Sequence, residues 1–227
     1  MKPLVVIPAR GGSKRLPGKN IKLLNGKPLI HYTIEVAREV FDDSVICVST
    51  DDEKIKAVSE QTGLIIPFLR PKELATDSAD TRSVLLHAYD FYNKELEYEA
   101  DVIILLQPTS PLRRAYHVKE ALELYHEDLD MVVSVKETDA NPYFVLYEEN
   151  EEGYLEKSKK GNFTRKQDCP KVWEFNGAIY VIKIRSLLEG QHLNFQKIDK
   201  YIMSKIASID IDDELDCKLT EIIFNES

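Results

Sequence analysis

Short apolar runs alternate with longer amphipathic stretches over the first 135 residues of the chain. Apolar runs bounded by turn signals predict strands at residues 4–9, 45–50, 64–68, 101–107 and 131–135. Apolar positions at helical spacing predict helices over residues 28–40, 51–62, 79–93 and 115–126. Strands that alternate with helices are typical of an α/β fold. We therefore predict a mostly parallel, Rossmann-like sheet covered by helices on both faces.

This pattern changes after residue 136. Residues 137–175 are polar, aromatic and irregular, with short strands predicted near 143–147 and 154–156. A strand pattern returns at 176–182, and 206–216 is predicted to end a strand and open the last helix. We interpret residues 137–175 as an insertion within a single domain that covers residues 1–227.

Composition agrees with one globular α/β domain, since 43% of the 227 residues are apolar and 30% are charged. No run of about 18 apolar residues is present, so no transmembrane helix or membrane partner is expected. The first apolar run is followed at once by charge, so no signal peptide is expected. Cys47, Cys169 and Cys217 are odd in number and far apart. They have no metal-ligand spacing and indicate a reducing cytoplasm.

The net charge is −9, which makes nucleic acid an unfavourable partner. The charge is unevenly distributed, because residues 1–34 contain seven Lys or Arg and no acid. The other 193 residues carry 23 basic and 39 acidic residues, a net of −16. A cationic segment on an anionic body predicts a local anion site rather than a diffuse polyanion surface.

Most of these cations lie in a loop, "ARGGSKRLPGKN", that follows the first predicted strand. Such loops bind ligands in α/β sheets, and glycines let backbone amides approach phosphate oxygens. The loop therefore suits a nucleoside triphosphate. It is not a Walker A loop, because five residues separate Gly12 from Gly18, and G-x-G-x-x-G is also absent. The alternative is a turn-rich surface loop with solvated charges.

Five further blocks accompany this loop in order: "STDD", "RPKELATDSADT", "LLQPTSPLR", "NGAIYV" and "IDIDDELD". With "IPARGGSKRLPGKN", they make residues 4–216 resemble the N-acylneuraminate cytidylyltransferases, or CMP-sialic acid synthetases. The related Kdo cytidylyltransferases share "PAR" and "LPGK" but typically lack "GGSK". The resemblance implies transfer of CMP from CTP to the anomeric hydroxyl of a nine-carbon 2-keto sugar acid, with release of pyrophosphate.

The resemblance also implies roles for individual residues. Arg70 is expected against the cytosine side of CTP, and cations of the loop near the triphosphate. The catalytic residues that it implies are Arg10, Lys19, Asp210 and Asp212. The nucleotide-binding residues that it implies are Arg10, Gly12, Ser13, Lys19, Asn20, Arg70 and Thr81.

Asp210 and Asp212 are the predicted metal ligands. In a strand, residues i and i+2 point to one face, so the two carboxylates would converge. Mg²⁺ prefers oxygen ligands and keeps several waters, so two carboxylates and triphosphate oxygens suffice. Helix capping is the alternative role of acidic residues here, and we assign that role to Asp213 and Asp216.

Gln107 and Arg165 are the predicted contacts of the sugar acid. Gln107 ends the central strand, and Arg165 suits a bidentate hold on a carboxylate. The alignment at Arg165 is loose by one residue, so Lys166 is its alternative, as is a solvated charge in the insertion. Many bacterial sialate enzymes have a lysine where this chain has Phe144, so legionaminic and pseudaminic acids are alternative acceptors.

Members of the resembled family form homodimers through the insertion, with residues of one subunit reaching the sugar site of the other. We therefore expect a cytoplasmic, Mg²⁺-dependent homodimer that acts on CTP and a nonulosonic acid, with N-acetylneuraminate as the first choice. A Kdo-type acceptor is an alternative within the enzymes. From another class, the alternative is a non-catalytic nucleotide-sensing domain on the same fold.

Overall fold

The computed structural model of the protein describes residues 1–76, 79–190, 193 and 195–226. Its strands are β1 (Pro3–Pro8), β2 (Leu23–Leu24), β3 (Lys27–Pro28), β4 (Ile46–Ser49), β5 (Val102–Leu106), β6 (Met131–Glu137), β7 (Tyr147–Glu149), β8 (Leu155–Lys157), β9 (Trp173–Lys183) and β10 (Ile198–Ile202). Its α-helices are α1 (Leu29–Arg38), α2 (Glu53–Glu60), α3 (Thr81–Glu95), α4 (Ala115–Glu123), α5 (Ile184–Glu189) and α6 (Glu214–Glu226).

Six strands form the main sheet, in the order β10-β6-β9-β5-β1-β4. All strand pairs are parallel except those of β9, which is antiparallel to both β5 and β6. The predicted mostly parallel α/β sheet is therefore confirmed. Because β9 runs the opposite way, its amino end lies at the edge where β1, β4 and β5 have their carboxyl ends. β6 and β10 run in the same direction as β1, so the carboxyl ends of five strands and the amino end of β9 meet at one edge of the sheet. This edge is the usual ligand position in open α/β sheets.

Helices cover both faces of this sheet, as the alternation in β1 illustrates. Val5 is fully buried in a cluster that includes Ile30 of α1. Val6, the next residue, is fully buried in a second cluster that includes Leu85 of α3. Successive side chains of a strand point to opposite faces, so a strand that is apolar throughout indicates helices on both sides.

Two predictions of local structure were wrong. Residues 64–68 form no strand, although Leu64 is 2% exposed and Ile65 is 80% exposed, as in a half-buried strand. Pro67 cannot donate to a ladder, and the segment packs on the core through Leu64 and Ile66. Residues 205–208 form a turn rather than a strand, and the last strand of the sheet is β10, which the sequence pattern did not predict.

The predicted insertion, residues 137–175, contains β7 and β8, which pair only with each other in the described sheets. The hairpin begins and ends a few residues later than predicted. Its apolar side chains are unusually exposed, with Leu155 at 72% and Tyr154 at 68%. None of the helices that the structure describes is both long enough and apolar enough to cross a bilayer.

Candidate active site

The cationic loop leaves β1 at the ligand-binding edge of the sheet. The Ala9 N–H donates to the Ser49 carbonyl at 2.9 Å, which extends the pairing of β1 with β4 by one residue. The buried Asn20 amide then donates to the Arg10 carbonyl at 3.0 Å and closes the loop on itself. Gly18 has φ of 66°, a left-handed conformation that glycine adopts without steric cost, at the start of the short helical turn Lys19–Ile21.

Asp51 joins this loop to Arg70. Its carboxylate accepts from the Gly11 N–H at 3.1 Å and lies 3.5 Å from the Arg70 guanidinium. A side chain at Gly11 is excluded, because its Cβ would lie 2.6 Å from a carboxylate oxygen of Asp52. Asp51 belongs to the "STDD" block and has a structural role that was not predicted from the sequence. A carboxylate at the carboxyl end of a predicted strand, at the edge that carries the loop, was the available signal.

A cavity of about 310 Å³ opens beside the loop. Five of the predicted nucleotide-binding residues line it, namely Arg10, Lys19, Asn20, Arg70 and Thr81. Gly12 and Ser13 lie on the adjacent loop and are not among its lining residues. The cationic side chains of Arg10, Lys19 and Arg70 are thus brought to one concave surface. That arrangement can neutralise a polyphosphate.

Arg70 is the most deeply buried cation of this cavity, with its side chain 3% exposed. Burial lowers the pKa of its guanidinium, and the Asp51 carboxylate opposes that shift. Its Nε atom is buried and has no hydrogen-bond partner among the described residues. Buried polar atoms are rarely left unpaired, which sets this guanidinium apart from the other cations of the cavity.

Asp212 lies next to two cations of the loop. Its carboxylate accepts from Lys19 at 3.1 Å and from Arg15 at 3.3 Å. Asp210 is set differently, because burial and the nearby Asp212 carboxylate raise its pKa, while Thr109 and Lys19 oppose the rise. The two predicted metal ligands therefore lie near each other and near the cationic loop.

The convergence of Asp210 and Asp212 does not come from a strand, which corrects the predicted geometry. The intervening Ile211 is fully buried, and its N–H donates to the Thr109 carbonyl at 2.8 Å. The core anchors Ile211, so both neighbouring carboxylates stay outside the core. No cluster of three or more His, Cys, Asp or Glu side chains suited to a metal occurs among the described residues. A cation here would have two protein carboxylates and would need further oxygen ligands.

Asp213 and Asp216 have the capping role that was predicted. The Asp216 carboxylate accepts from the N–H groups of Asp212 and Asp213, at 2.8 and 3.0 Å. The Asp213 carboxylate accepts from the N–H groups of Leu215 and Asp216, at 2.8 and 3.1 Å. These bonds satisfy amides at the start of α6 that have no helical partner.

A second cavity, of about 380 Å³, adjoins the first, and Gln107 lines both. Its other lining residues include Tyr180 and Asp210, together with Lys136 and Glu174, whose charged atoms are 3.2 Å apart. A Cβ at Gly177 would lie 3.9 Å from the Gln107 amide, and Gly177 has φ of 75°. The predicted sugar contact Gln107 is thus the boundary between two cavities. Tyr180 and Lys136 are lining residues to which the sequence analysis gave no role.

Arg165, the other predicted sugar contact, lies in the insertion and lines neither cavity. Its guanidinium donates to both carboxylate oxygens of Asp168, at 2.8 and 3.1 Å, and its side chain is 66% exposed. The alternative, Lys166, pairs with Asp139 at 3.2 Å. Neither residue is brought to the cavities within one chain.

The chain is also similar to known proteins. Residues 4–217 match the model of the family described as cytidylyltransferase. An N-acylneuraminate cytidylyltransferase of Streptococcus agalactiae is 37% identical over 218 residues, 93% of this chain and 51% of that protein. A CMP-N,N'-diacetyllegionaminic acid synthase of Legionella pneumophila is 34% identical over 97% of this chain and 95% of that protein. The chain therefore spans about half the length of the streptococcal relative and nearly all of the Legionella one.

Further likenesses extend this pattern. A pseudaminic acid cytidylyltransferase of Campylobacter jejuni is 31% identical over 99% of this chain and 97% of that protein. Among solved structures, a CMP:2-keto-3-deoxy-manno-octonic acid synthetase complexed with CTP has a TM-score of 0.72. The match covers 100% of this chain and 99% of that one at 20% identity, so it establishes the fold alone. Because the family match spans residues 4–217 and relatives above 30% identity cover more than nine tenths of the sequence, this chain belongs to the cytidylyltransferase family.

Proposed function

We propose that this protein transfers CMP from CTP to the anomeric hydroxyl of a nonulosonic acid, most simply N-acetylneuraminate, and releases pyrophosphate. The observation that carries the proposal is the pair of adjoining cavities, which share Gln107. One is lined by cations of the loop and the other adjoins Asp210. Two substrates that exchange a nucleotidyl group need such adjacent sites, since reacting atoms must meet in a defined orientation.

CTP would occupy the first cavity, with its triphosphate against Arg10 and Lys19 and its base towards Arg70 and Thr81. The acceptor oxygen attacks the α-phosphorus, the bond to the β-phosphate breaks, and pyrophosphate leaves with the bonding electrons. No side chain is assigned as a general base, and in this scheme the proton of the attacking hydroxyl passes to solvent. The cations of the loop neutralise the charge that develops on pyrophosphate, which is how such transfers are accelerated.

We also propose a divalent cation, Mg²⁺ by preference, held by Asp210 and Asp212. The donor set fits, since both groups are carboxylates, they lie outside the core, and the Asp212 carboxylate adds to the raised pKa of Asp210. When bound, the ion supplies Lewis-acid stabilisation of charge on the α-phosphate. A nucleotide-sensing domain would not need this carboxylate pair, which favours the enzyme over that alternative.

The acceptor would occupy the second cavity, in contact with Gln107. Its carboxylate would be met by Arg165, supplied by the insertion of a second subunit, and we propose a homodimer for that reason. Three observations support this assembly. Arg165 lines neither cavity of its own chain, and the acidic hairpin nevertheless exposes Tyr147, Tyr154 and Leu155. Among the described residues, β7 and β8 pair only with each other. Three free cysteines and the use of CTP support a cytoplasmic location.

The choice of acceptor is tested by pyrophosphate release with CTP and a panel of sugar acids. N-acetylneuraminate, diacetyllegionaminic acid, pseudaminic acid and Kdo are each varied at fixed CTP and Mg²⁺. We expect N-acetylneuraminate to give the highest kcat/KM, and UTP and ATP to replace CTP poorly. A higher kcat/KM with legionaminic acid would identify that sugar acid as the acceptor and leave the reaction itself unchanged. The 34% identical relative and Phe144 make this outcome reasonable. No pyrophosphate with any acceptor, despite CTP binding, would favour the sensing domain.

A further inference from the structure

Arg113 is a fully buried cation, with 1% of its surface exposed, in the segment between β5 and α4. One terminal nitrogen donates to the carbonyls of Gln107 and Ala178, at 3.1 and 2.7 Å. The other terminal nitrogen donates to the Thr33 hydroxyl at 2.6 Å. Burial alone lowers the pKa of its guanidinium to about 9, so the side chain is still cationic at neutral pH.

A buried cation without a carboxylate partner is costly, and none of the ion pairs found in the described part of the chain includes Arg113. Its Nε atom is also buried and unpaired there. The three neutral oxygen acceptors offset only part of this cost. Because burying Arg113 costs folding free energy, its presence in the core is better explained by the groups that its guanidinium holds in place than by a gain in stability.

The acceptors of Arg113 lie where the pairing of β5 with β9 stops. The last pair of that ladder is Leu106 with Ile179, so Gln107 and Ala178 would form the next pair. The left-handed Gly177 follows at once, beside an irregularity in the pairing of β9 with β6, and the Arg113 guanidinium bridges the two carbonyls. The Thr33 hydroxyl adds a 3.3 Å bond to the Gln107 carbonyl and ties α1 to the same place.

Gln107 is also the residue that lines both cavities. We propose that Arg113 is a positioning residue: by fixing the Gln107 backbone it sets the Gln107 side chain between nucleotide and sugar acid, and so determines how the acceptor binds. The effect on acceptor binding rests on the proposed function. The hold on Gln107 follows from the contacts of Arg113 and does not depend on that function.

The first test is a double-mutant cycle between Arg113→Lys and Gln107→Ala. An ammonium cannot reach acceptors on both sides as the planar guanidinium does, so Arg113→Lys should raise the KM for the acceptor roughly tenfold. The KM for CTP should change by less than about twofold in that variant. Because Arg113 acts through Gln107, the double variant should be no worse than Gln107→Ala alone, whereas independent sites give additive effects. Additive losses would overturn the proposal.

Thr33→Val and Thr33→Ser provide a milder second pair, should Arg113→Lys fold poorly. Thr33→Val removes one acceptor of Arg113 at similar volume, and Thr33→Ser keeps the hydroxyl. We expect the KM for the acceptor to rise in Thr33→Val and to recover in Thr33→Ser. Arg114→Lys is the matched control, since Arg114 is exposed and adjacent. Equal effects of Thr33→Val and Thr33→Ser would contradict a role through the hydroxyl.

A readout without catalysis separates this inference from the proposed function. The side-chain amide signals of Gln107 in a ¹⁵N-correlation spectrum can be assigned by their loss in Gln107→Ala. They should shift in Arg113→Lys, or in Thr33→Val if the former is unfolded, and stay in place in Arg114→Lys. Unshifted signals would overturn the positioning role even in an active enzyme. A wild-type protein inactive with every acceptor would overturn the function and leave this spectral test intact.

Discussion

Asp210 and Asp212 are two residues apart, yet their environments differ. Asp212 is half exposed and pairs with two cations of the loop. Exposed ion pairs contribute little to stability because water and salt screen them. Asp210 is also partly exposed, and its pKa is raised mainly because neighbouring protein atoms shield its carboxyl group from water, and further by the Asp212 charge. The two carboxylates therefore repel each other in part, and a bound cation would relieve that repulsion.

Asp212→Asn tests that interpretation. The variant keeps the shape of the side chain and loses its charge, so we expect a normal fold and a fall in turnover of at least about two orders of magnitude. Pyrophosphate release at saturating CTP and Mg²⁺ is the measurement. Glu214→Gln is the matched control, because it removes one charge from a neighbouring exposed ion pair with Lys22. Near-normal turnover in Asp212→Asn would remove Asp212 from the metal site.

Asp51→Asn tests the link between the loop and Arg70. The amide oxygen still accepts from Gly11, but the buried guanidinium loses its opposing charge, which costs about 1–3 kcal/mol of folding free energy. We expect CTP to bind roughly five- to tenfold more weakly. Calorimetric titration of CTP and urea unfolding measure the two effects. Asp90→Asn, which removes one charge of an exposed pair with Lys94, should leave both quantities unchanged. If Asp51→Asn and Asp90→Asn gave the same CTP affinity and the same free energy of unfolding, Asp51 would have no role beyond that of a surface charge.

At the scale of elements, hydrogen bonds and ion pairs join the N-terminal loop to distant parts of the chain. The loop is attached to β4 through Ala9 and Asp51, and to the segment before α6 through Asp212. Elements far apart in sequence thus hold the cations in a common direction. The chemistry of the loop was predicted from the sequence, because glycines and cations between a strand and a helix are local features. Its anchoring was not, because those partners lie about 40 and 190 residues away.

Alanine substitutions along this part of the chain distinguish a site from general electrostatics. Arg10→Ala and Lys19→Ala remove cations that line the first cavity, so each should lower kcat/KM for CTP by about ten- to hundredfold. Lys2→Ala removes an equal charge outside that cavity and should be nearly silent. Steady-state kinetics at two salt concentrations provide the comparison. Equal losses in all three variants, relieved alike by salt, would indicate a diffuse field rather than a binding site.

At the scale of the whole molecule, a single chain leaves the proposed site incomplete. Both cavities lie at one edge of the sheet, and Arg165 projects from the insertion without lining either of them. The hairpin of that insertion exposes Tyr154 and Leu155 by more than two thirds. Apolar side chains on a self-paired hairpin are typical of a surface that another chain covers. A symmetric dimer would cover the hairpin and bring each Arg165 to the partner's second cavity.

Mixed dimers test whether Arg165 acts across the subunit boundary. Arg165→Ala alone should raise the KM for the sugar acid roughly ten- to hundredfold and leave that for CTP unchanged. Co-refolded Arg165→Ala and Asp212→Asn chains should recover about a quarter of wild-type activity, because half of the dimers then contain one intact site. Recovery would place Arg165 in the partner's site. Absence of recovery would mean that Arg165 and Asp212 of the same chain act in one site. A monomeric mass measured by light scattering would contradict the proposed dimer.

Several features of this protein follow from its sequence alone. β1, β5 and their flanking helices were predicted, because buried strands and amphipathic helices have periods that a short window reveals. The cationic loop was predicted to bind an anion for the same reason, since glycines and cations at a strand end are local features, and that assignment remains a prediction. The capping roles of Asp213 and Asp216 are likewise local, because a side chain and the amides it caps lie within a few residues.

Only the tertiary structure decided the rest. β10 exists because β6 offers it an edge, and residues 64–68 form no strand despite a similar pattern. Asp51 became a partner of Arg70, Gln107 the boundary of two cavities, and Arg113 the bridge between the end of β5 and the middle of β9. The physical reason is common to all: each depends on which distant segments the sheet places side by side. Pairing of distant segments is set by the packing of the whole core, which no local period records.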